Sequence, residues 1–143
     1  MPLGSLFAFC NSIVLPGWFM LLFFPRGRWT RLTILAAIIP VEAAVYVFLL
    51  FRGWGAASGG FGSLQAIGQL FDNPELLLAG WVHYLAFDLI VGMWEAQEGV
   101  RRDIPALLMI PCLLLTLFFG PVGLALFLIV RLLYPPELDE DPG

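Results

Sequence analysis

Four apolar runs, each about 20 residues long, leave this chain few options, because that is the length of helix that crosses a bilayer. They lie at about 3–24, 32–51, 75–94 and 105–133 and fill most of the 143 residues. Hydrophobic residues make up 60% of the sequence, where a soluble domain has about 45–50%, and the mean hydropathy is +0.90. The expectation is an all-α fold, a four-transmembrane-helix bundle that forms one domain over residues 1–136. An acidic tail follows at 137–143.

The net charge of −4 is no global property. Glu137, Asp139, Glu140 and Asp141 supply much of it within that tail, which reads as a solvated end. No basic stripe with interleaved aromatics occurs, so no nucleic-acid partner is expected; the partner to expect is the lipid bilayer. The chain has no lysine, which rules out a Schiff base to retinal or pyridoxal phosphate. A single histidine rules out an intrachain bis-histidine haem. Cys10 and Cys112 are the only cysteines, both inside apolar runs, and cannot form a metal cluster alone. No metal set is expected, and the sequence names no cofactor. The first run starts almost at Met1 with no basic residue ahead of it, so it reads as a retained span and not as a cleaved leader.

Pro25-Arg26-Gly27-Arg28 ends the first span, in which Pro16-Gly17 predicts a kink. In the second span Pro40 removes one backbone donor and frees a carbonyl near Ala36. The connection from Arg52 to Asn73 opens with five glycines and has room for a short interfacial helix, with Leu64, Ile67, Leu70 and Phe71 on one side. Asp72-Asn73-Pro74-Glu75 reads as a helix start, with a capping side chain, a first-turn proline and an acidic residue at the positive end of the dipole. Cys112, Thr116 and Gly120 recur every four residues along the fourth span, a spacing that lets another helix come close. Arginines are the only basic residues, and the first and third loops hold five of them: Arg26, Arg28, Arg31, Arg101 and Arg102. Those loops are expected on the cytoplasmic face, with both termini and Arg131 on the other.

Ionisable groups deep in a bilayer cost about 2.5–3.5 kcal/mol each on insertion scales, so Glu42, His83 and Asp88 are the candidate catalytic residues. Each should face protein and not acyl chains. Asp88 could be a general acid, a proton carrier, or a hydrogen-bond anchor for Tyr84 or a backbone amide. Glu42 could be a protonatable site, or could bond Tyr46, Asn11 or a carbonyl freed by Pro40. His83 could be a general base, a ligand to the magnesium of a chlorophyll-type pigment, or an interhelical tie. On a helix Trp81, Tyr84, Asp88, Gly92 and Glu95 share one stripe, and His83 lies about 140° from Asp88. A direct His–Asp pair is therefore not expected. Trp81, Tyr84, Tyr46, Asn11 and Thr116 complete the set, as substrate contacts or as ties between helices.

The third span, Gly80-Trp81-Val82-His83-Tyr84-Leu85-Ala86-Phe87-Asp88-Leu89, resembles the tryptophan–histidine–aspartate block of the abscisic-acid-deficient-four-like membrane proteins. Pro111 to Thr116 and Phe119-Gly120-Pro121-Val122-Gly123 resemble that family's second block. The resemblance implies four spans and functional interest in Trp81, His83 and Asp88. In plants the family is associated with forming neoxanthin from violaxanthin, an epoxide-to-allene isomerisation of a carotenoid. It therefore implies a carotenoid or another lipophilic pigment as partner, in a bacterial inner or photosynthetic membrane because no plastid transit segment precedes the first span. Two other readings stay open: an accessory subunit of a larger pigment-containing or respiratory complex, and a dimeric proton-coupled small transporter built around Glu42.

Overall fold

Residues 2–135 are described by the computed structural model, and the acidic tail lies outside them. The described chain is all-α. Helix α1 runs over Leu3–Phe23 and α2 over Arg28–Gly53; α3 is the short Leu64–Phe71, α4 spans Pro74–Arg101 and α5 spans Ala106–Leu133. All but α3 are long and apolar enough to cross a bilayer, which makes four. The chain is an integral membrane protein. Its α4 continues past Trp94 to Arg101, further than the apolar run alone suggests.

The helix ends follow from local chemistry. After Pro25 the chain turns, and the Thr30 hydroxyl donates to the Phe24 carbonyl at 2.7 Å, satisfying one of the orphan acceptors at the end of α1. Ser63 caps α3 by accepting from Ala66 N–H at 3.1 Å. Asn73 caps α4, its Oδ1 accepting from the amides of Glu75 and Leu76 at 3.0 and 3.1 Å, with Pro74 in the first turn as expected. Helix α4 closes on a Schellman arrangement: Asp103 N–H reaches Val100 O and Ile104 N–H reaches Gly99 O. Asp103 carries the left-handed φ of 49°, a conformation that short polar residues tolerate.

The helix packing forms two compact units. The first takes α1 up to Gly17, then Leu32–Phe87. Its core is a stripe from each helix: Leu6, Cys10 and Val14 from α1, Ile34, Ile38, Leu49 and Gly53 from α2, and Leu76, Ala79, Val82 and Leu85 from α4. Phe7, Phe9, Val47, Phe48 and Phe51 point out, as side chains facing lipid tails do at no hydrophobic cost. Helix α2 continues through Pro40. The turn before it, Ile34–Ile38, widens into π-helix, with Ile39 N–H bonding Ile34 O. A π-turn absorbs the missing donor without ending the helix.

The second unit takes Trp18–Arg31 and the chain from Asp88 onward. Here α5 departs from a straight rod. Phe119 has φ −142° and ψ 52°, so the helix is broken just before Gly120-Pro121. The backbone of Gly123 packs directly on that of Thr116, whereas on one straight helix residues seven apart lie roughly 10 Å apart. The Arg131 guanidinium meets Glu98 at 2.9 Å, and Arg102 donates to the Tyr134 carbonyl at 2.9 Å. Trp94 packs edge-on against Phe127. The arms of α5 therefore fold against each other, and its last turn comes back to the end of α4. Arg131 thus meets the same carboxylate as Arg101 and Arg102. Proline alone bends a helix; the non-helical backbone at Phe119 next to a glycine is what lets it reverse.

Candidate functional site

In the first unit Glu42 falls on the buried stripe of α2, one turn after Ile38 and four residues beyond the π-turn. Its side chain is completely buried, and neither carboxyl oxygen has a hydrogen-bond partner. The Cys10 thiol lies beside it, close enough to interact. Tyr46 and Asn11, which the sequence offered as partners, are engaged elsewhere. Asn11 accepts from the Trp81 indole N–H at 3.3 Å and donates to Phe7 O at 2.7 Å. The Tyr46 ring tilts against His83 with centroids 5.9 Å apart. Buried polar groups are almost always satisfied, so an unbonded glutamate in the packed core is the most unusual side chain of this unit.

The expected burial holds for Glu42 and not for His83, which is exposed on α4. Its ring stacks on Phe87 with centroids 4.4 Å apart. Trp81 and Tyr84 pack on each other at 5.3 Å, and Phe7 approaches Trp81 at 6.0 Å. These three rings, with Leu3, Gly4 and Leu77, line an open cavity of about 680 Å³ whose walls are almost entirely carbon. Asn11 fixes the indole from behind by its hydrogen bond. The structure thus brings Trp81 and Tyr84 to one groove, with Asn11 bonded to the indole, and Tyr46 and His83 to one another.

In the second unit Asp88 lies against Gly120. A Cβ at that position would stand 2.5 Å from one carboxyl oxygen and 2.9 Å from the other, so the aspartate fits only because the residue facing it is glycine. Thr116, fully buried, donates its hydroxyl to the fully buried Glu95 carboxylate, at 3.0 and 2.9 Å from the two oxygens. Gly123 holds the returning arm of α5 against Thr116. The small-residue stripe Cys112–Thr116–Gly120 therefore serves polar groups on α4 as well as close helix packing. Further along α4, the buried Glu98 takes Arg102 on Oε1 at 2.7 Å, Arg131 on the same oxygen at 2.9 Å and Arg101 on Oε2 at 3.1 Å.

Glu95 and Glu98 escape a reading by hydropathy because they follow the apolar run that ends near Trp94. The signal that finds Glu95 is the helical stripe Trp81, Tyr84, Asp88, Gly92, Glu95, which continues the face of Asp88 for two more turns. Nothing in the sequence signals that Glu98 meets Arg131, since that contact needs the reversal at Phe119. Among the described residues no three His, Cys, Asp or Glu side chains gather where they could hold a metal ion.

The family model described as ABA DEFICIENT 4-like covers residues 5–127. No curated protein and no solved structure matches the chain.

Proposed function

The chain belongs to the ABA DEFICIENT 4-like family, and on that premise we propose that it binds a carotenoid-type polyene within the membrane and isomerises it. The observation that carries the reading is the carbon-lined groove of about 680 Å³ walled by Phe7, Trp81 and Tyr84. A site for a lipophilic molecule is mostly apolar with a few placed polar groups. This one has an indole tethered by Asn11 and a phenol ring packed against it. An open, carbon-lined groove suits a substrate that arrives dissolved in lipid and not in water.

The reaction that fits is proton traffic without a redox step. Converting an epoxide to an allene requires a proton on the epoxide oxygen as its C–O bond opens. A proton leaves the adjacent polyene carbon, and its electron pair completes the cumulated double bond. Atoms and charge balance within the substrate and one acid–base pair. In this proposal Asp88 donates and His83 accepts, and Glu42 is the reserve protonatable group; Tyr46 orients the imidazole. The membrane is bacterial, inner or photosynthetic, with the arginine-rich loops in the cytoplasm.

The test is purification in mild detergent from a carotenoid-producing host, followed by solvent extraction and mass analysis of what co-elutes. Wild type is expected to carry a carotenoid that Trp81→Ala loses. Supplied with an epoxy-carotenoid, it should return a product of unchanged mass and altered absorbance, abolished in Asp88→Ala. A pigment-free wild type that leaves epoxy-carotenoids untouched would end the proposal.

A further inference from the structure

The fold of α5 bears on where the chain leaves the membrane, independently of what the groove binds. A bilayer-spanning helix needs about 20 residues to cover roughly 30 Å of hydrocarbon. Broken at Phe119, α5 has two arms of about 13 residues, roughly 20 Å each at 1.5 Å per residue. Neither arm is long enough to cross. Each is thoroughly apolar all the same, so neither belongs in water. The contacts fix the direction of the second arm. Gly99 seats Met109 of the first arm, and Glu98, one residue earlier on α4, takes Arg131 of the second. Arg102 holds the Tyr134 carbonyl. Both ends of α5 therefore sit at the same end of α4. On a straight α5, Arg131 would stand roughly 37 Å along the axis from Ala106.

Charge points the same way. Six of the chain's seven arginines, namely Arg26, Arg28, Arg31, Arg101, Arg102 and Arg131, lie in the second unit, and only Arg52 lies in the first. A straight fourth span would put Arg131 on the arginine-poor face and leave the ratio at five to two. The reversal brings it to six to one, and short-loop arginines gather on the cytoplasmic side. Irregular backbone at membrane depth is tolerated only where protein covers it, and here Gly120 is buried beneath the Asp88 carboxyl.

We propose that α5 is a re-entrant hairpin that enters and leaves the bilayer on the face of Arg28 and Arg101, so that Pro135 emerges there. The protein then makes three complete crossings and one intramembrane hairpin.

Single cysteines read this directly. Cys10 and Cys112 are fully buried, so the unmodified chain is the blank for a membrane-impermeant maleimide. Arg28→Cys and Ser58→Cys mark the two faces, because the 26 residues of α2 separate them. In right-side-out and inverted vesicles, Pro135→Cys is expected to label with the sidedness of Arg28→Cys. Labelling with the sidedness of Ser58→Cys, or from neither face, overturns the proposal. A second readout covers a variant that folds poorly. The exchange Glu98→Arg with Arg131→Glu should recover part of the melting temperature lost by Glu98→Arg alone, the remainder being the lost pairs with Arg102 and Arg101, and failure to recover any of it counts against the hairpin as well.

Discussion

Glu98 offers the sharpest test of how this fold is held, because one carboxylate serves three arginines from two helices. Its side chain is 4% exposed, and its partners differ in exposure: Arg102 at 10%, Arg131 at 36% and Arg101 at 73%. Burial sets the weight of each pair. Removing one partner of a buried pair costs about 3–5 kcal/mol, which applies to Arg102. An exposed pair is worth about 0–1 kcal/mol, which applies to Arg101. Arg131, a third exposed, falls between and is discounted toward the lower figure. Glu98→Gln keeps the shape and one acceptor but leaves Arg102 buried beside a neutral amide, so we expect a loss of about 3 kcal/mol.

For a chain of this length that corresponds to a drop of about 10 °C in melting temperature on soluble-domain scaling. The two buried cysteines supply the assay. A thiol-reactive dye in mild detergent stays dark until Cys10 and Cys112 are exposed, so its thermal profile reports unfolding. Arg101→Gln should shift the same profile by no more than a quarter as much. If Glu98→Gln melts within about 2 °C of wild type, or if Arg101→Gln costs as much as Glu98→Gln, the weighting of these pairs by burial is wrong.

Thr116→Val keeps the volume and removes the only hydrogen bond described for the Glu95 carboxylate. It should cost about 1–3 kcal/mol in the same dye assay, and the cost should vanish in a Glu95→Leu background. Gly120→Ala places a methyl against the Asp88 carboxyl and should destabilise by about 1–3 kcal/mol; a neutral result would mean that the aspartate moves freely. Glu42→Leu removes an unbonded polar group from a packed core. It is expected to raise the melting temperature, by about 1–3 kcal/mol of stability, and a lowered one would show that Glu42 has a structural partner.

Much of the fold is legible from composition because hydrocarbon length is so restrictive. The apolar runs locate the long helices, Asn73-Pro74 marks the start of α4, and the glycine-rich connection leaves room for α3. What is not legible depends on where the chain goes after a break. Pro40 and Pro121 look alike in sequence. The first is absorbed by a π-turn at Ile34–Ile38 in a helix that continues, and the second follows a reversal at Phe119-Gly120. The difference lies in Gly120 and Gly123, which let the carboxyl of Asp88 and the backbone of Thr116 come closer than any side chain would allow. Local pattern cannot show that, because the atoms that need the space sit on α4 and on the other arm of α5. The candidate residues divide the same way. Glu42 is buried as its depth implies, while His83, one residue off the core face of α4, is turned outward.

The acidic residues also differ in how the cost of burying them is offset, and the difference separates scaffold from candidate function. Glu98 has three cations, two of them at hydrogen-bonding distance on one oxygen. Glu95 has a hydroxyl aimed between both oxygens. Each of these contacts stabilises the fold and accounts for the residue without invoking a substrate. Glu42 has beside it only the Cys10 thiol, a weak donor, and neither oxygen finds a partner in good hydrogen-bond geometry, while the residue is as deeply buried as Glu95. A polar group in that position lowers stability, and leucine would fill the same stripe of α2 without the penalty. Natural proteins tolerate such a penalty chiefly where activity depends on it. Of the three buried glutamates, Glu42 is therefore the one whose replacement by an apolar residue is expected to gain stability, whereas replacing Glu95 or Glu98 is expected to lose it.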